Sequence, residues 1–463
     1  MSGLSCGVNP VSLRGMTQTV SLPLWLFILI LLFAVVTFAS HFLFPSVRWF
    51  FRKRMERAVE QLNTRLTRPI QPFKLARRYD TIQRLSYDPT VAAAIQDHAR
   101  RNKIPENVAF EKARRYAREI VPSFSASVYF GFGTRAAKWI AKSFYRIRIG
   151  TTGSEALASI DDKATVVFVI NHRSNMDYVL VTHLISRSST VAYAVGEWAR
   201  VWPLSWLVRA MGAYFIRRGE RGALYRAVLA RYVQMATEGG VTQAFFPEGG
   251  LSLTGRLGAP KLGLLSYIAA SDLDEKRPIV FVPVGLNYDR VIEDQVLTRA
   301  SITGERKFRP PLRTLAKGTM RLIGRILRGR FKNFGTVAVG FGQPIYLDDF
   351  RGSKDSIAEL GEALMTRIAE VIPLVPVPIV ARILEKGPHT RDDLIRSVQQ
   401  LLDQAAQKNV AIPVRSADQL VDEALRLLKG RKILVDLDGA YSIADHAVDV
   451  MAYYAATIEH HFT

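Results

Sequence analysis

Apolar and polar positions follow different patterns in different parts of the chain. Residues 22–44, LPLWLFILILLFAVVTFASHFLF, hold no Asp, Glu, Lys or Arg over 23 positions. Residues 45–147 place apolar side chains at helical spacing, as in DPTVAAAIQDHARRNK and ENVAFEKARRYAREIV. The same spacing returns after 351, as in DSIAELGEALMTRIAEVI and DHAVDVMAYYAATIEHHF. Both flanks of the chain are therefore predicted to be helical.

Short apolar runs dominate residues 148–350. The predicted strands are 164–170, 190–195, 212–216, 242–246, 278–286 and 335–342. Helical patterns lie between them at 202–211, 221–239 and 261–270. This alternation predicts an α/β core, a mixed sheet covered by helices. The predicted regions are a transmembrane anchor (22–44), a helical N-terminal region (45–147), the α/β core (148–350) and a helical C-terminal region (351–463).

The apolar stretch 22–44 has the length of a membrane span. As a helix it extends roughly 35 Å, against a hydrocarbon core of about 30 Å. Only Arg14 precedes it, whereas four basic residues follow directly, Arg48, Arg52, Lys53 and Arg54. This asymmetry predicts a single-pass protein whose later residues lie in the cytoplasm. A cleaved signal peptide is the alternative, because TFAS offers small residues.

Charge and cysteine content narrow the classes of partner and site. The net charge of +22 indicates an anionic partner, such as nucleic acid, membrane lipid or a phosphorylated substrate. We expect no nucleic-acid partner, since no binding motif is recognisable and the anchor already explains the charge. The single cysteine excludes a disulfide framework and a zinc finger. The scattered histidines show no metal-ligand spacing, so we expect no metal and no cofactor.

Candidate chemistry begins in VVFVINHRSNMDYVLV, residues 166–181. His172 and Asp177 are five positions apart, about 140° around a continuous helix, so they would not meet there. They can meet if His172 lies in the turn after a strand and Asp177 in the first turn of the next helix, with Ser174 or Asn175 as N-cap. The pair then forms the base and orienting carboxylate of a triad. Alternatively, Asp177 simply caps the helix and His172 is a satisfied turn residue.

Three more segments lie at predicted strand ends, where α/β sheets usually build their sites. GAYFIRRG ends in Arg217 and Arg218, which could also be a solvated strand end. FFPEGGLSLTGRLGAPKLGLL presents Glu248, Gly249 and Gly250, which could also be an ordinary turn. VFVPVGLNYDR ends another strand and contains Pro283.

In this order the four segments resemble the blocks HxxxxD, FIxR, F-x-EG and a Pro-centred strand of the glycerol-phosphate acyltransferase superfamily. The resemblance is to the membrane-bound glycerol-3-phosphate acyltransferase family in particular. HRSNMDYVLV is similar to its HRSHMDYLLL, GAYFIRR to its GAFFIRR, and EGGLSLTGRLGAPKLGLL to its EGGRSRTGRLLxPKxGxL. FGQPIYL resembles its FGEPIxL. The likeness covers roughly residues 75–460 and implies an acyltransferase-type fold.

The resemblance implies transfer of an acyl chain from acyl-CoA or acyl-carrier protein to the sn-1 hydroxyl of glycerol 3-phosphate. His172 is then the general base, oriented by Asp177, and attack on the thioester is direct. Ser174 serves as a cap rather than as a nucleophile. The implied substrate site consists of Arg173 and Ser174, which brace the turn, and of Arg217, Arg218, Glu248, Gly249, Gly250, Arg256, Lys261 and Pro283.

One departure from the family pattern affects the acceptor. The two arginines of EGGRSRTG correspond here to Leu251 and Leu253. A phosphate needs fixed cations or backbone donors, and nearby basic residues still offer them. A more lipophilic acceptor, such as lysophosphatidate, would tolerate the two leucines better. Both acceptors therefore stay open.

A basic segment, residues 306–332, holds ten Lys or Arg and no acid. Its spacing suggests an amphipathic helix on anionic lipid. It could equally dock acyl-carrier protein or the phosphates of CoA, or be a solvated face. A non-catalytic membrane-anchored scaffold is the remaining alternative for the whole chain. The expected location is the cytoplasmic face of a membrane, with a bacterial inner membrane favoured.

Overall fold

The computed structural model describes residues 22–150, 157, 159–186, 188–217, 219–220, 222–271, 277–304, 333–352 and 355–463. Side chains at 39–52, 55, 56, 58 and 198 lie outside this description. The chain divides into two compact units, with the boundary between residues 62 and 63. The basic segment 306–332 lies outside the described residues, so its predicted helix stays a prediction.

One long helix, α1 (Leu24–Asn63), accounts for nearly all of the described first unit. Large apolar side chains between residues 24 and 38 are mostly exposed on it. Within the described part of the chain, no helix is both long and apolar enough to cross a membrane. The predicted anchor at 22–44 is therefore not confirmed, and the side chains of 39–44 lie outside the description.

Short helices open the second unit, as the apolar spacing predicts. They are α2 (Pro72–Leu75), α3 (Arg78–Ser86), α4 (Pro89–Asn102), α5 (Glu106–Ile120) and α6 (Thr134–Phe144), with a π-helical turn at Ser127–Gly133. Helix α4 begins at Pro89 because the Asp88 side chain accepts a hydrogen bond from the Thr90 backbone N–H at 3.0 Å. The apolar faces of α3, α4 and α5 are buried together.

An eight-stranded sheet forms the centre of the second unit. Its strands are β1 (Arg146–Ile149), β2 (Thr165–Ile170), β3 (Ala192–Val195), β4 (Tyr214–Phe215), β5 (Gln243–Phe245), β6 (Ile279–Tyr288), β7 (Thr336–Phe341) and β8 (Ile345–Tyr346). Their order is β1-β7-β6-β2-β5-β3-β4, with β8 beside β6. Strands β6, β2, β5, β3 and β4 run parallel, whereas β7 and β8 run antiparallel to β6. All six predicted strands are confirmed. Strand β1 lacks a sequence signal, whereas β8 lies in FGQPIYL, the segment that resembles a strand of the family.

Both faces of this sheet are buried, which explains why β2 reads as a continuous apolar run. Val166, Phe168 and Ile170 enter the core on one face. Val167 and Val169 enter the core on the other face, because successive side chains of a strand point in opposite directions. Because both faces are covered along β2 and β5, side chains that take part in chemistry are expected only beyond the carboxyl ends of these strands.

The remaining helices cover the sheet and form the C-terminal region. They are α7 (Met176–Ile185), α8 (Leu204–Ala210), α9 (Ala223–Glu238), α10 (Gly263–Ala269), α11 (Asp294–Thr303), α12 (Ser356–Glu370), α13 (Pro376–Leu384), α14 (Arg391–Gln407), α15 (Ala417–Gly430) and α16 (Val448–Ala456). A small antiparallel sheet joins β9 (His389–Thr390), β10 (Leu434–Leu437) and β11 (Ala440–Ile443). The fold is a mixed α/β fold with a parallel-rich sheet, while the four-region division stays a prediction.

Candidate active site

His172 and Asp177 are in direct contact at the carboxyl end of β2. The chain leaves the strand after Ile170, turns, and starts α7 at Met176. His172 Nδ1 lies 2.9 Å from Asp177 Oδ2, and both side chains are buried, at 1% and 0% exposure. The carboxylate lies in the first helical turn, where the helix dipole favours a negative charge. The turn-then-helix geometry proposed from the spacing is therefore the geometry observed.

Asp177 is held by more than His172. Its Oδ2 also accepts the backbone N–H groups of Arg173 at 2.8 Å and Ser174 at 3.0 Å. Its Oδ1 accepts a short hydrogen bond from the Tyr288 hydroxyl, at the end of β6. Burial and the Asp177 charge raise the pKa of Tyr288 well above its usual range, so this hydroxyl remains a donor. These bonds fix the Asp177 carboxyl group in contact with the imidazole.

The imidazole of His172 is clamped between aromatic rings. It stacks on Phe246 with centroids 3.9 Å apart and an interplanar angle of 17°, and Tyr178 meets it edge-on at 5.6 Å. Among the described residues, its second ring nitrogen has no hydrogen-bond partner. With Nδ1–H donated to Asp177, Nε2 carries a lone pair that is available to accept a proton. This arrangement can act as a general base.

Glu248 ties two loops to the turn. Its Oε1 accepts the His172 backbone N–H at 2.9 Å, and its Oε2 accepts the Gly258 N–H at 3.0 Å. Both oxygens of this nearly buried carboxylate are therefore engaged by the chain itself. Gly249 has φ +67°, and a Cβ there would lie 2.6 Å from Lys261 Cδ. Only glycine lets the Lys261 side chain lie across this turn.

The loop after Glu248 also packs against the turn through its backbone. The Ser252 N–H donates to the His172 carbonyl at 3.0 Å. Arg173, 1% exposed, donates from Nη1 to the carbonyl of Gly255 in a short bond and to that of Arg256 at 3.3 Å. Its Nε and Nη2 have no partner within the described residues. Arg173 therefore braces the turn while keeping unsatisfied donors beside it.

The other predicted cations have different surroundings. Arg217 forms a bidentate pair with Glu119 of α5, at 2.8 and 2.6 Å, so its charge is already compensated away from His172. Arg256 pairs with Glu459 at 2.7 Å near the C-terminus and is largely exposed. Arg218 lies outside the described residues, so its role stays a prediction. Arg217 follows β4, and its part in substrate binding stays a prediction.

Ser174 is used for structure rather than chemistry. Its Oγ accepts the Met176 N–H at 3.1 Å and donates to Glu293 Oε2 at 2.8 Å. Glu293 Oε1 further accepts from the backbone and side-chain nitrogens of Asn175, at 3.2 and 3.0 Å. Burial raises the pKa of Glu293 above its ordinary value. The hydroxyl of Ser174 is consequently committed on both sides.

Three residues that hold the turn carry no separate sequence motif. Asn171 bridges β2 to β6, with Nδ2 donating to the Leu286 carbonyl at 2.9 Å and Oδ1 accepting its N–H at 2.7 Å. Tyr288 lies near the end of the fourth segment, and Glu293 follows that segment by three residues. Their polarity at the end of an apolar strand was the available signal. Pro283 lies in β6 within the sheet, where it is the register partner of Val169 in β2. Its carbonyl accepts a hydrogen bond from the Gly342 N–H.

Leu251 and Leu253 pack against the hydrophobic core on the sheet face that carries α7. They are only partly buried, so each retains some exposed apolar surface. Neither side chain can supply a charge to a phosphate. The departure from the family pattern thus corresponds to an apolar surface in the loop that follows Glu248.

Two family models match the chain. A model described as "Acyltransferase" matches residues 148–287, and the "Glycerol-3-phosphate acyltransferase C-terminal region" matches 318–463. The first match contains three of the four segments and most of the fourth, and the second contains the C-terminal helices. The resemblance seen in the motifs is therefore confirmed.

Curated relatives agree with the family models. The glycerol-3-phosphate acyltransferase of Shewanella amazonensis is 30% identical over 429 residues, 86% of this chain and 51% of that protein. That of Aeromonas hydrophila is 30% identical over 419 residues, 84% of this chain and 50% of that protein. The chain spans about half the length of the curated relatives it matches. A solved 1-acyl-sn-glycerophosphate acyltransferase from Thermotoga maritima is also similar, at 21% identity and a TM-score of 0.32, covering 56% of this chain and 80% of that one.

Proposed function

This chain belongs to the glycerol-3-phosphate acyltransferase family, and we propose that it acylates the sn-1 hydroxyl of glycerol 3-phosphate to give lysophosphatidate. The acyl donor is acyl-CoA or acyl-carrier protein. The observation that carries the proposal is the buried His172–Asp177 pair, which lies inside the region that matches the acyltransferase model and leaves the second imidazole nitrogen without a partner among the described residues. A general base can remove the proton of an acceptor hydroxyl, and glycerol 3-phosphate carries such a hydroxyl.

The reaction needs one base and no enzyme nucleophile. His172 Nε2 removes the acceptor's hydroxyl proton as the oxygen attacks the thioester carbonyl. Asp177 balances the charge of the imidazolium that forms. A positioned general base such as His172 contributes about 10²–10⁴-fold in rate. The tetrahedral intermediate then expels the thiolate, which takes the proton back from His172. Direct transfer is supported by Ser174, whose hydroxyl is already bonded to Glu293 and Met176.

The acceptor phosphate is assigned to basic groups around the turn. Arg218 is the family candidate, and Lys261 crosses the Gly249 turn beside Glu248. Arg173 directly follows His172 in the chain, and its guanidinium Nε and Nη2 have no hydrogen-bond partner among the described residues. Glu248 contributes by holding the backbones of His172 and Gly258 in place. Pro283 and its strand shape the acyl pocket in this proposal.

A second acceptor class has one observation in its favour. Leu251 and Leu253 replace the family arginines and offer partly exposed apolar surface. An acceptor that already carries an acyl chain, such as lysophosphatidate, would bury that surface. The reaction and the roles of His172 and Asp177 are the same in both cases. The acceptor alone distinguishes the two functions.

A direct assay separates these possibilities. Purified full-length protein is incubated with one labelled acyl-CoA and, in parallel, with glycerol 3-phosphate or lysophosphatidate. Labelled lysophosphatidate is the expected product, whereas transfer to lysophosphatidate alone would overturn the first assignment in favour of the second. Loss of transfer in His172→Ala is expected in either case. Unchanged transfer in that variant would refute the catalytic assignment and favour the scaffold.

We further propose attachment to the cytoplasmic face of a membrane, a bacterial inner membrane in particular. The charge-free stretch 22–44 and the basic segment 306–332 support this. Membrane lipids, acyl donor and glycerol 3-phosphate are then its partners, with no cofactor required. Fractionation of cells that produce the full chain and a chain starting at residue 45 tests the anchor. Equal membrane recovery of both forms would contradict it.

A further inference from the structure

A small cavity lies at the opposite edge of the sheet from His172. It has a volume of about 30 Å³ and is bounded by α2, α3 and the starts of three strands. Ala192 is the first residue of β3, and Gly212 and Val241 each lie two positions before the start of β4 and β5. Because these strands run parallel to β2, their amino ends lie away from the edge that carries His172. The cavity is therefore distinct from the candidate active site.

Lys74 lines this cavity with an unpaired amine. The residue is only 9% exposed, and its Nζ has no hydrogen-bond partner within the described residues. The nitrogen lies 4.8 Å from the centroid of Phe124 and 5.6 Å from that of Tyr129. Desolvated cation–π contacts contribute about 2 kcal/mol, whereas burying an unpaired charge costs several kcal/mol. Aromatic rings alone do not compensate the ammonium, and burial lowers the pKa of Lys74 well below its usual range.

Two arginines beside the cavity also lack counter-charges. Arg78 donates from Nε to the Val121 carbonyl at 3.0 Å, and Val121 is part of the cavity wall. Arg209 donates to the Arg118 carbonyl at 3.3 Å. In the described part of the chain, neither Arg78 nor Arg209 pairs with a carboxylate. Burial and the charges of Arg78 and Arg200 lower the pKa of Arg209 to about 10. The cavity thus adjoins an uncompensated positive field.

We propose that this cavity binds a small oxyanion, held by Lys74 Nζ and by the positive field of Arg78 and Arg209. A water molecule needs about 10–15 Å³ of such volume, so the space admits a phosphate or carboxylate group and excludes a nucleotide or an acyl chain. An anion there restores hydrogen bonding to the buried amine and balances the arginines. The chemistry is the same for free phosphate and for a phosphate group that projects from a lipid.

Calorimetric titration of the full-length protein with sodium phosphate, at constant ionic strength, tests the site without any assay of acyl transfer. We expect one binding event that weakens at least tenfold in Lys74→Met, which keeps the length of the side chain but removes the donor. Arg78→Gln provides a second variant if Lys74→Met does not fold, and it should weaken the same event. Lys386→Met, on an exposed lysine, is the control and should bind as the parent does.

The outcomes separate clearly. Equal phosphate affinity in the parent, Lys74→Met and Arg78→Gln, or no binding in the parent, would overturn the proposal. Displacement of phosphate by sulfate alone identifies a free-anion site. Displacement by dihexanoylphosphatidic acid identifies a lipid phosphate as the source of the anion. Because the titration measures phosphate binding rather than acyl transfer, its result tests this site independently of the proposed function.

Discussion

The Tyr288 hydroxyl donates to Oδ1 of Asp177, while His172 and two backbone N–H groups occupy Oδ2. Tyr288 lies at the end of β6 and is 1% exposed. Its ring also meets Tyr145 edge-on, with centroids 5.3 Å apart. Tyr288 is therefore a positioning residue, since it acts on the imidazole only through the carboxylate.

Tyr288→Phe should lower kcat about tenfold and leave KM for both substrates nearly unchanged. The variant loses one hydrogen bond to a charged group, about 1.5–3 kcal/mol, and each 1.4 kcal/mol of the barrier is tenfold in rate. Steady-state kinetics with both substrates measure the split. Tyr145→Phe is the matched control, because its hydroxyl donates to the Arg290 carbonyl at 2.8 Å rather than to Asp177. Equal losses in both variants would mean that the effect is only packing.

Glu248→Gln should destabilise the fold as well as slow the reaction. A Gln amide offers one acceptor, so either the His172 or the Gly258 N–H loses its partner, and an unsatisfied buried donor costs about 1–3 kcal/mol. Denaturant unfolding measures this loss. Glu459→Gln is the control, because its exposed pair with Arg256 contributes at most about 1 kcal/mol. Unchanged stability in Glu248→Gln, with a raised KM for the acceptor, would instead indicate direct substrate contact.

Asp289 makes stability depend on pH. It is buried and accepts the N–H groups of Thr336 at 2.6 Å and Val377 at 2.9 Å, and burial raises its pKa from 3.8 to about 6. A carboxyl with a raised pKa in the folded state contributes stability below about pH 4 that is lost as pH rises through about 6.

The free energy of unfolding of the parent relative to Asp289→Asn should therefore fall by about 2.5 kcal/mol between pH 4 and pH 7.5. The difference between the two proteins cancels the titration of other groups. Urea unfolding at several pH values provides the measurement. A difference that stays constant with pH would show that Asp289 has the same pKa in both states.

Leu251→Ala and Leu253→Ala should change KM for glycerol 3-phosphate by less than about threefold, because an apolar side chain contributes little to binding a small polar acceptor. If the acceptor carries an acyl chain, each truncation removes apolar contact of about 1–3 kcal/mol, roughly 10–100-fold in kcat/KM. Kinetics with both acceptors decide between these results. A selective loss with lysophosphatidate would establish the second candidate function.

The sequence alone was sufficient for the elements and for the family. Continuous apolar runs predict buried strands and period-3.6 patterns predict helices, because these signals depend on neighbours only a few residues away. The contact between His172 and Asp177 could also be predicted from sequence, since the turn and the helix start that join them are local. The order of the four segments then identifies the acyltransferase region, which the family models confirm.

The partners of these residues depend on the tertiary structure. Glu248 reaches the His172 backbone across 76 positions, Tyr288 reaches Asp177 across 111, and Arg217 finds Glu119 across 98. The first two contacts follow from the strand order β6-β2-β5 and the third from the packing of α5 beside β4, neither of which a local period encodes. For the same reason, sequence alone could not tell that Arg217 is compensated by Glu119, or that the buried Lys74 amine has no hydrogen-bond partner among the described residues. Which polar atoms remain free is set by how distant segments pack.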